Sequence, residues 1–372
     1  MSSDDDVIKS FVKQDAAALT KATQGSNTIA LEYGPLNKND ATVHLEQLVK
    51  AFLATQATPD APPVTFKVEN DKLMASFQGQ EYNVSDLIKQ ANLNHVQFDE
   101  QDAANYMVLL QSPEAHYTPS LKNSTNPIPS MADYETQEKQ GKHPDALKEL
   151  NWAEKSAINI YSGGFYGVCN QVLRGDVSRI ENQDSQQIGE ILATAAMGCA
   201  GLNKISESSP RFTFRVEENF SEEFTKKRIE AVERGGDVTV EMGFFSTAFA
   251  PSDDEMFNAM NTELFNAGGG TGIVLSDLRG KYIAGIAAKP DEFEYLVPPT
   301  QMQWVGHYQT ENGSHFFHAR PVQTLTGLTA EQQKRTEPAS EPTPPLSTDF
   351  KARLNDVKNA DGEEIKQPYK PS

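Results

Sequence analysis

The sequence predicts an α+β chain: a helical lobe followed by a mostly antiparallel β core, preceded by a small α+β N-terminal unit. Three observations carry this. Apolar residues recur at helical spacing in the first two hundred residues. After Pro210 the texture changes to short, alternating or β-branched runs. Between them, residues 112–145 are rich in Pro, Ser, Asn and charge, and read as a linker or long surface crossing.

Taken in order, residues 5–23 place Val7, Phe11 and Val12 on a helical face, and 42–56 do the same with Leu45, Leu48, Val49 and Phe52. Ala-Pro-Pro at 61–63 ends that pattern. VTFKVE and KLMASFQ, separated by Asn70-Asp71, predict a hairpin. Two helices are expected near 84–93 and 101–111; Asp86 in the first is either paired or merely exposed. The segment 1–111 is therefore a small unit with no chemistry of its own, and a recognition module is its expected role. A helix resumes at about 146, breaks at Gly163-Gly164, and continues through FYGVCNQVLRG; another spans 185–204. The β runs are RFTFRVEE, DVTVEMGFFST, TGIVLSDL, KYIAGIAA, EFEYLVP, QMQWVGHYQ and HFFHARPV, with helices expected at about 220–233 and 253–266. These make a domain over 146–327. Beyond it, 328–372 is polar and Pro-rich with no continuous apolar face, and is expected to be a disordered tail.

The 372 residues carry 33 Lys and Arg against 52 Asp and Glu, a formal net charge of −19. Such a field repels nucleic-acid phosphate and anionic lipid, so neither nucleic-acid binding nor membrane insertion is expected. An anionic ligand would need local positive charge set against that field. Cys169 and Cys199 are too few for a disulfide framework and read as two small buried thiols. No Cys/His cluster has zinc spacing; the group His307, His315 and His318 lacks an acidic partner, so no metal is expected. Gly268-Gly269-Gly270 is not followed by Gly-Lys-Ser/Thr and is no phosphate loop; it caps a helix and opens the next strand. MSSDDDVIKS lacks the basic-then-apolar order of a signal peptide, and synthesis in a cytoplasm is expected.

The residues that carry chemistry come in a fixed order: Arg215, then Ser246-Thr247, then Glu292-x-Glu294. In a chain this acidic, Glu-x-Glu alone means little. An arginine can meet a pyrophosphate, and a carboxylate beside a sugar can stabilise an oxocarbenium-like centre. A hydroxyl can brace that carboxylate, and a second carboxylate can orient a guanidinium acceptor and draw off its proton. On a regular strand, carboxylates at i and i+2 share a face.

This order resembles the arginine-specific mono-ADP-ribosyltransferases of the R-S-E type, including bacterial toxins and effectors. The resemblance covers roughly 150–325. YSGGFYGVCNQVLRGD is similar to the family's helical element, with Asn170, Leu173 and Arg174 at its marked positions. GFFSTAF is similar to its Phe-x-Ser-Thr-Ser strand, although Ala248 stands at the third position. Val216 follows the arginine where the family often has glycine. The resemblance implies an ADP-ribosyltransferase-type β core and NAD as substrate. It implies Arg215 at the end of the first core strand, against the cofactor phosphates or ribose, and the Val216 backbone near nicotinamide. Ser246 would brace the catalytic carboxylate, with Thr247 beside it and Phe249 flanking nicotinamide. Glu294 would hold the ribose hydroxyl and stabilise the oxocarbenium, and Glu292 would act on the acceptor guanidinium. The implied product is ADP-ribose on an arginine of a target protein, with nicotinamide released. Two alternatives stay open: an NAD glycohydrolase with water as acceptor, and a non-catalytic binding protein on the same scaffold. The resemblance also implies a bacterial effector delivered into a host cell. The acidic tail around Asp361-Gly362-Glu363-Glu364 resembles the C-terminal signals of type IV-secreted effectors.

Overall fold

The computed structural model describes residues 40–113, 115, 149–205, 212–217, 222–234, 238–241, 243–249, 259–260, 262–264, 270–276, 281–283, 285–288, 294–310 and 313–322. The helix expected at 5–23, almost all of the crossing at 112–145 and the tail at 328–372 lie outside them.

Helix α1 (Asp40–Ala57) buries Leu45, Leu48, Val49, Phe52 and Leu53, the stripe its sequence spacing requires. Strands β1 (Val64–Glu69) and β2 (Lys72–Phe77) pair antiparallel with Glu69 opposite Lys72. Asn70 and Asp71 turn the chain with φ of 51° and 57°, the left-handed pair that a two-residue hairpin of this twist needs. Strand β3 (Gln80–Asn83) completes a three-stranded sheet. Helix α2 (Val84–Gln90) is capped by Asn83, whose side chain accepts from the Asp86 N–H and donates to its carboxylate. Asp86 is thus engaged in the cap it follows. Helix α3 (Glu100–Gln111) opens with a reciprocal capping box between Asp99 and Asp102.

The first described helix of the lobe is α4 (Trp152–Ile160); residues 146–148, where the helical pattern is expected to resume, lie outside the described residues. Asn151 accepts from the Glu154 N–H and so fixes the N-terminus of α4. A π-turn (Tyr161–Phe165) follows, with Gly164 at φ 117°, and then α5 (Tyr166–Leu173). The predicted break at Gly163-Gly164 is present: Gly164, at φ 117° and ψ −6°, leaves helical geometry and kinks the chain between α4 and α5. Helix α6 (Ser185–Lys204) is buried along nearly its whole length, as an Ala- and Gly-rich helix can be when packed from several sides.

The N-terminal unit and the lobe share one apolar core. Leu45, Phe52, Phe66 and Tyr106 pack in the same cluster as Ile158, Ile188, Ile191 and Met197. Polar links cross the same boundary: the Phe66 N–H donates to Ser185 Oγ at 2.8 Å, and the Tyr106 and Thr194 hydroxyls meet at 3.0 Å. Gly189 of α6 faces the Phe52 ring so closely that a Cβ there would overlap it. Gly189→Ala is therefore expected to cost about 1–3 kcal/mol through overpacking, read as a lowered midpoint in urea unfolding.

The remaining strands are β4 (Phe212–Glu217), β5 (Val238–Glu241), β6 (Phe245–Phe249), β7 (Thr271–Ser276), β8 (Lys281–Tyr282), β9 (Glu294–Val297), β10 (Thr300–Gln309) and β11 (His315–Val322), with α7 (Glu222–Glu233) after β4. They form one sheet in the order β5-β10-β11-β7-β4-β6-β9-β8. Every recorded pair is antiparallel except β7 with β11. The fold class is α+β, as predicted.

Two predicted strands end differently. DVTVEMGFFST is two strands, β5 and β6. KYIAGIAA is extended only at Lys281–Tyr282, because the N–H groups of Ile286 and Ala287 both turn back to the Ile283 carbonyl at 2.8 Å. Of the helix expected at 253–266, the described residues 259–260 and 262–264 are helical.

The strand order requires the sheet to curl. β9 and β10 stand near opposite ends of the order, yet only Pro298 and Pro299 join them. Three Cα–Cα steps span at most about 11 Å. The two halves of the sheet must face one another, and an apolar cluster fills the space between them. It combines Phe245, Tyr295 and Val297 with Met302, Trp304 and Phe317. Asn94 of the N-terminal unit donates to the Pro299 carbonyl at 2.9 Å, tying that unit to the joint. Among the described residues no helix is long and apolar enough to cross a membrane.

Candidate active site

Strands β4, β6 and β9 lie side by side and carry Arg215, Ser246-Thr247 and Glu294 respectively. The ladder between β4 and β6 is short: Thr213 opposes Phe249, and Phe214 opposes Ala248. The next contact is made by a side chain. Arg215 Nη1 donates to the Ser246 carbonyl at 3.0 Å. A guanidinium thus stands where the two strands stop exchanging backbone hydrogen bonds. Its carbon sits 5.0 Å from the centre of the Phe245 ring, a cation–π contact. Arg215 is not at the end of β4, as expected from the sequence. The strand continues through Val216 to Glu217, because β7 pairs with it along its whole length, Val216 opposite Gly272 and Glu217 opposite Thr271.

Glu294 opens β9 opposite Ala248, and Ser246 lies opposite Leu296. By strand alternation Ser246, Ala248, Glu294 and Leu296 occupy one face of the sheet. Leu296 packs into the core shared with the helical lobe, so this face looks toward the lobe. Glu294 is only 6% exposed, and its carbonyl accepts the Ile283 N–H at 3.0 Å. Thr247, 3% exposed, points the other way and donates its hydroxyl to the Tyr295 carbonyl at 2.9 Å. That bond braces β6 against β9. Phe249 ends β6 opposite Thr213; its side chain, and Glu292 as a whole, lie outside the described residues.

The helical lobe supplies residues whose place in the site sequence reasoning did not assign. The Asn170 side chain accepts from the Phe244 N–H at 2.8 Å and donates to its carbonyl at 3.2 Å and to the Tyr161 hydroxyl at 2.9 Å. Phe244 immediately precedes β6, so this clamp sets where Ser246 stands. It also explains the interruption between β5 and β6. Gly243 belongs to the same fit, since a Cβ there would come within 2.9 Å of Asn170 Oδ1. The Tyr161 hydroxyl is held above its ordinary pKa, first by burial, with smaller opposing effects of Arg215, which lowers it, and Glu294, which raises it. Asn170→Ala would leave the Phe244 amide and carbonyl buried without this partner. The expected cost is about 2–3 kcal/mol, read by denaturant unfolding.

The histidines meet across strands, not along one. His307 Nε2 and His315 Nδ1 are 2.9 Å apart, with the two rings stacked. Among the described residues no group of three or more His, Cys, Asp or Glu is arranged to hold a metal ion. Burial, and then the neighbouring His315, push the His307 pKa down to about 4, and burial lowers that of His315 as well. The unfolded chain protonates His307 near 6.5 and the folded chain resists until about 4. Stability from this pair is fully present above pH 6.5 and falls as pH drops from 6.5 towards 4. Replacing His307 with Gln should flatten that part of a Tm-against-pH curve. Cys169 and Cys199 are buried free thiols, their pKa values raised by burial, as expected for inert core residues.

No family model matches the sequence, and no curated protein matches it. The solved structures it is similar to in fold include bacterial ADP-ribosyltransferases of the effector and toxin kind. HopU1 of Pseudomonas syringae pv. tomato is 15% identical, over 60% of this chain and 98% of that one, with a TM-score of 0.41. Vis toxin of Vibrio splendidus is 18% identical, over 54% and 89%, with a TM-score of 0.37. Exoenzyme S of Pseudomonas aeruginosa, solved with human 14-3-3 protein beta and carba-NAD, is 19% identical, over 60% and 98%, with a TM-score of 0.35.

Proposed function

We propose that this chain is an NAD-dependent mono-ADP-ribosyltransferase that transfers ADP-ribose to an arginine of a target protein and releases nicotinamide. The observation that carries the reading is the placement of Arg215, Ser246 and Glu294 on three adjacent strands: Ser246 and Glu294 share one face, and the Arg215 guanidinium, rooted on the other, bonds the Ser246 carbonyl where β4 and β6 part. In this reading Arg215 meets the pyrophosphate of NAD, a local cation in a chain of net charge −19. Glu294 faces the ribose. As the bond to nicotinamide breaks, positive charge grows on the sugar and the buried carboxylate stabilises it. Ser246, on the same face, braces Glu294, while Thr247 holds β6 to β9. The reading assigns the Val216 backbone and Phe249 to nicotinamide. Glu292 orients the acceptor guanidinium and draws off its proton, the role that favours arginine over water as acceptor. The transfer needs no metal.

The test is incubation with labelled NAD and a cell lysate, with and without Glu294→Ala. The expected result is label on protein, mapped by mass spectrometry to arginine, equimolar nicotinamide, and loss of both in the variant. Nicotinamide without protein label makes water the acceptor and the chain an NAD glycohydrolase. Neither product leaves a non-catalytic binding protein. We further read the chain as a bacterial effector acting in a host cell. Deleting 340–372 should then abolish delivery in a translocation assay while sparing activity of the purified chain.

A further inference from the structure

Glu217 lies two residues beyond Arg215 on β4, hence on the same side of the strand. It is 5% exposed. Its Oε1 accepts from Arg215 Nε at 3.0 Å. Its Oε2 accepts from Arg228 Nη1 at 2.6 Å, and Arg228 Nη2 approaches Oε1 at 3.5 Å. Arg228 comes from α7, is itself buried, and lies with its guanidinium carbon 4.4 Å from the centre of the Trp304 ring on β10. One carboxylate therefore joins β4 to α7, and Arg215 carries the connection on to the Ser246 carbonyl of β6.

The charge count explains why two arginines are present. Arg215 paired with Glu217 alone would be neutralised, and a neutral pair is a poor site for a phosphate. A second guanidinium on the same carboxylate leaves the trio with one net positive charge while every group stays bonded. Burial alone pushes the Glu217 carboxyl up, yet the two guanidiniums prevail and hold it below the usual carboxylate range. Packing adds to the restraint. Gly270, at φ 156°, is so close that a Cβ there would lie 2.7 Å from the Glu217 carbonyl oxygen. The Nε edge of Arg215 is thus occupied by Glu217 and Nη1 by Ser246, and among the described residues no hydrogen bond engages Nη2.

The geometry points to Glu217 as a positioning residue for Arg215, with Arg228 as the counter-charge that keeps the trio cationic, so that one fixed guanidinium edge is offered to the pyrophosphate of NAD. This rests on the proposed function.

The test is a double-mutant cycle on NAD affinity, measured by titration calorimetry, with nicotinamide release followed in parallel. A glutamine offers one acceptor oxygen to two competing guanidiniums, so Glu217→Gln should weaken NAD binding about tenfold. In an Arg215→Lys background the same change should add less than about twofold, because the residue it acts through is already gone. Arg228→Lys keeps the charge but loses the fork, and should weaken NAD binding by a smaller factor that again disappears beside Arg215→Lys. This second variant decides the matter if Glu217→Gln does not fold. Equal losses in both backgrounds overturn the proposal in favour of a purely structural ion pair. Unchanged or tighter binding in folded Glu217→Gln overturns it as well, since then only the charge of Glu217 mattered. A wild-type chain that binds neither NAD nor inorganic pyrophosphate overturns the proposed function, and this inference with it.

Discussion

Glu294→Gln is expected to lower the rate of nicotinamide release by about 10²–10³-fold, the size of effect seen when one preorganised electrostatic group is removed. The loss should fall on kcat, with NAD affinity little changed. On the proposed function the carboxylate acts when positive charge appears on the ribose, and an interaction made mainly in the transition state shows itself in kcat. Glutamine nearly matches the shape of the buried side chain, so Tm should move by only a few degrees. Single-turnover nicotinamide release on the folded variant checks both parts. A rate within about twofold of wild type would remove Glu294 from the chemistry. A collapse of Tm would make its role structural.

Removing residues 1–111 is expected to abolish cooperative folding of the remainder. Leu45, Phe52, Phe66 and Tyr106 share a core with Ile188, Ile191 and Met197, so the deletion would expose a large face of α6. Each large side chain lost from such a core costs about 2–5 kcal/mol even as a truncation to alanine, and total stability is on the order of 5–15 kcal/mol. The fragment 146–327 should show no cooperative urea transition by circular dichroism. Leu53→Ala, fully buried on α1, is the single-residue version and should cost about 2–5 kcal/mol. A fragment that unfolds cooperatively at the midpoint of the full chain would restore the N-terminal unit to an independent module.

What could be read from the sequence was what local chemistry decides. Asn70-Asp71 named its hairpin because few residues accept left-handed φ twice in succession. The stripe on α1 and the Gly163-Gly164 break followed from spacing and from glycine at φ 117°. The order of Arg215, Ser246 and Glu294 was visible, and the fold places them on neighbouring strands. The misreadings arose where a distant group intervenes. Nothing within DVTVEMGFFST shows that Asn170 grips Phe244 and divides the run in two. Nothing within KYIAGIAA favours a turn at Ile283 over a strand except its small residues, Ala284 and Gly285. Glu217 was within reach. An arginine and a glutamate at i and i+2 of a β run share a face, and that spacing alone predicts their pairing. Arg228 was not, since only the fold brings α7 to β4.

The strand order also bears on how long the molecule takes to form. β5 pairs with β10, β4 with β6 and β7, β6 with β9, and β7 with β11, each pair separated by intervening structure; β10 with β11 is the one tight hairpin among the described strands of this sheet. Non-local pairing of this kind slows folding, because long loops must close before their contacts reward them. The three strands that carry Arg215, Ser246 and Glu294 become neighbours only through such closures. In a refolding experiment, secondary structure in the helical lobe should return first, with the pairing of β4, β6 and β9 trailing it. A chain that starts unfolded therefore spends an interval with its helices formed and these three strands still apart.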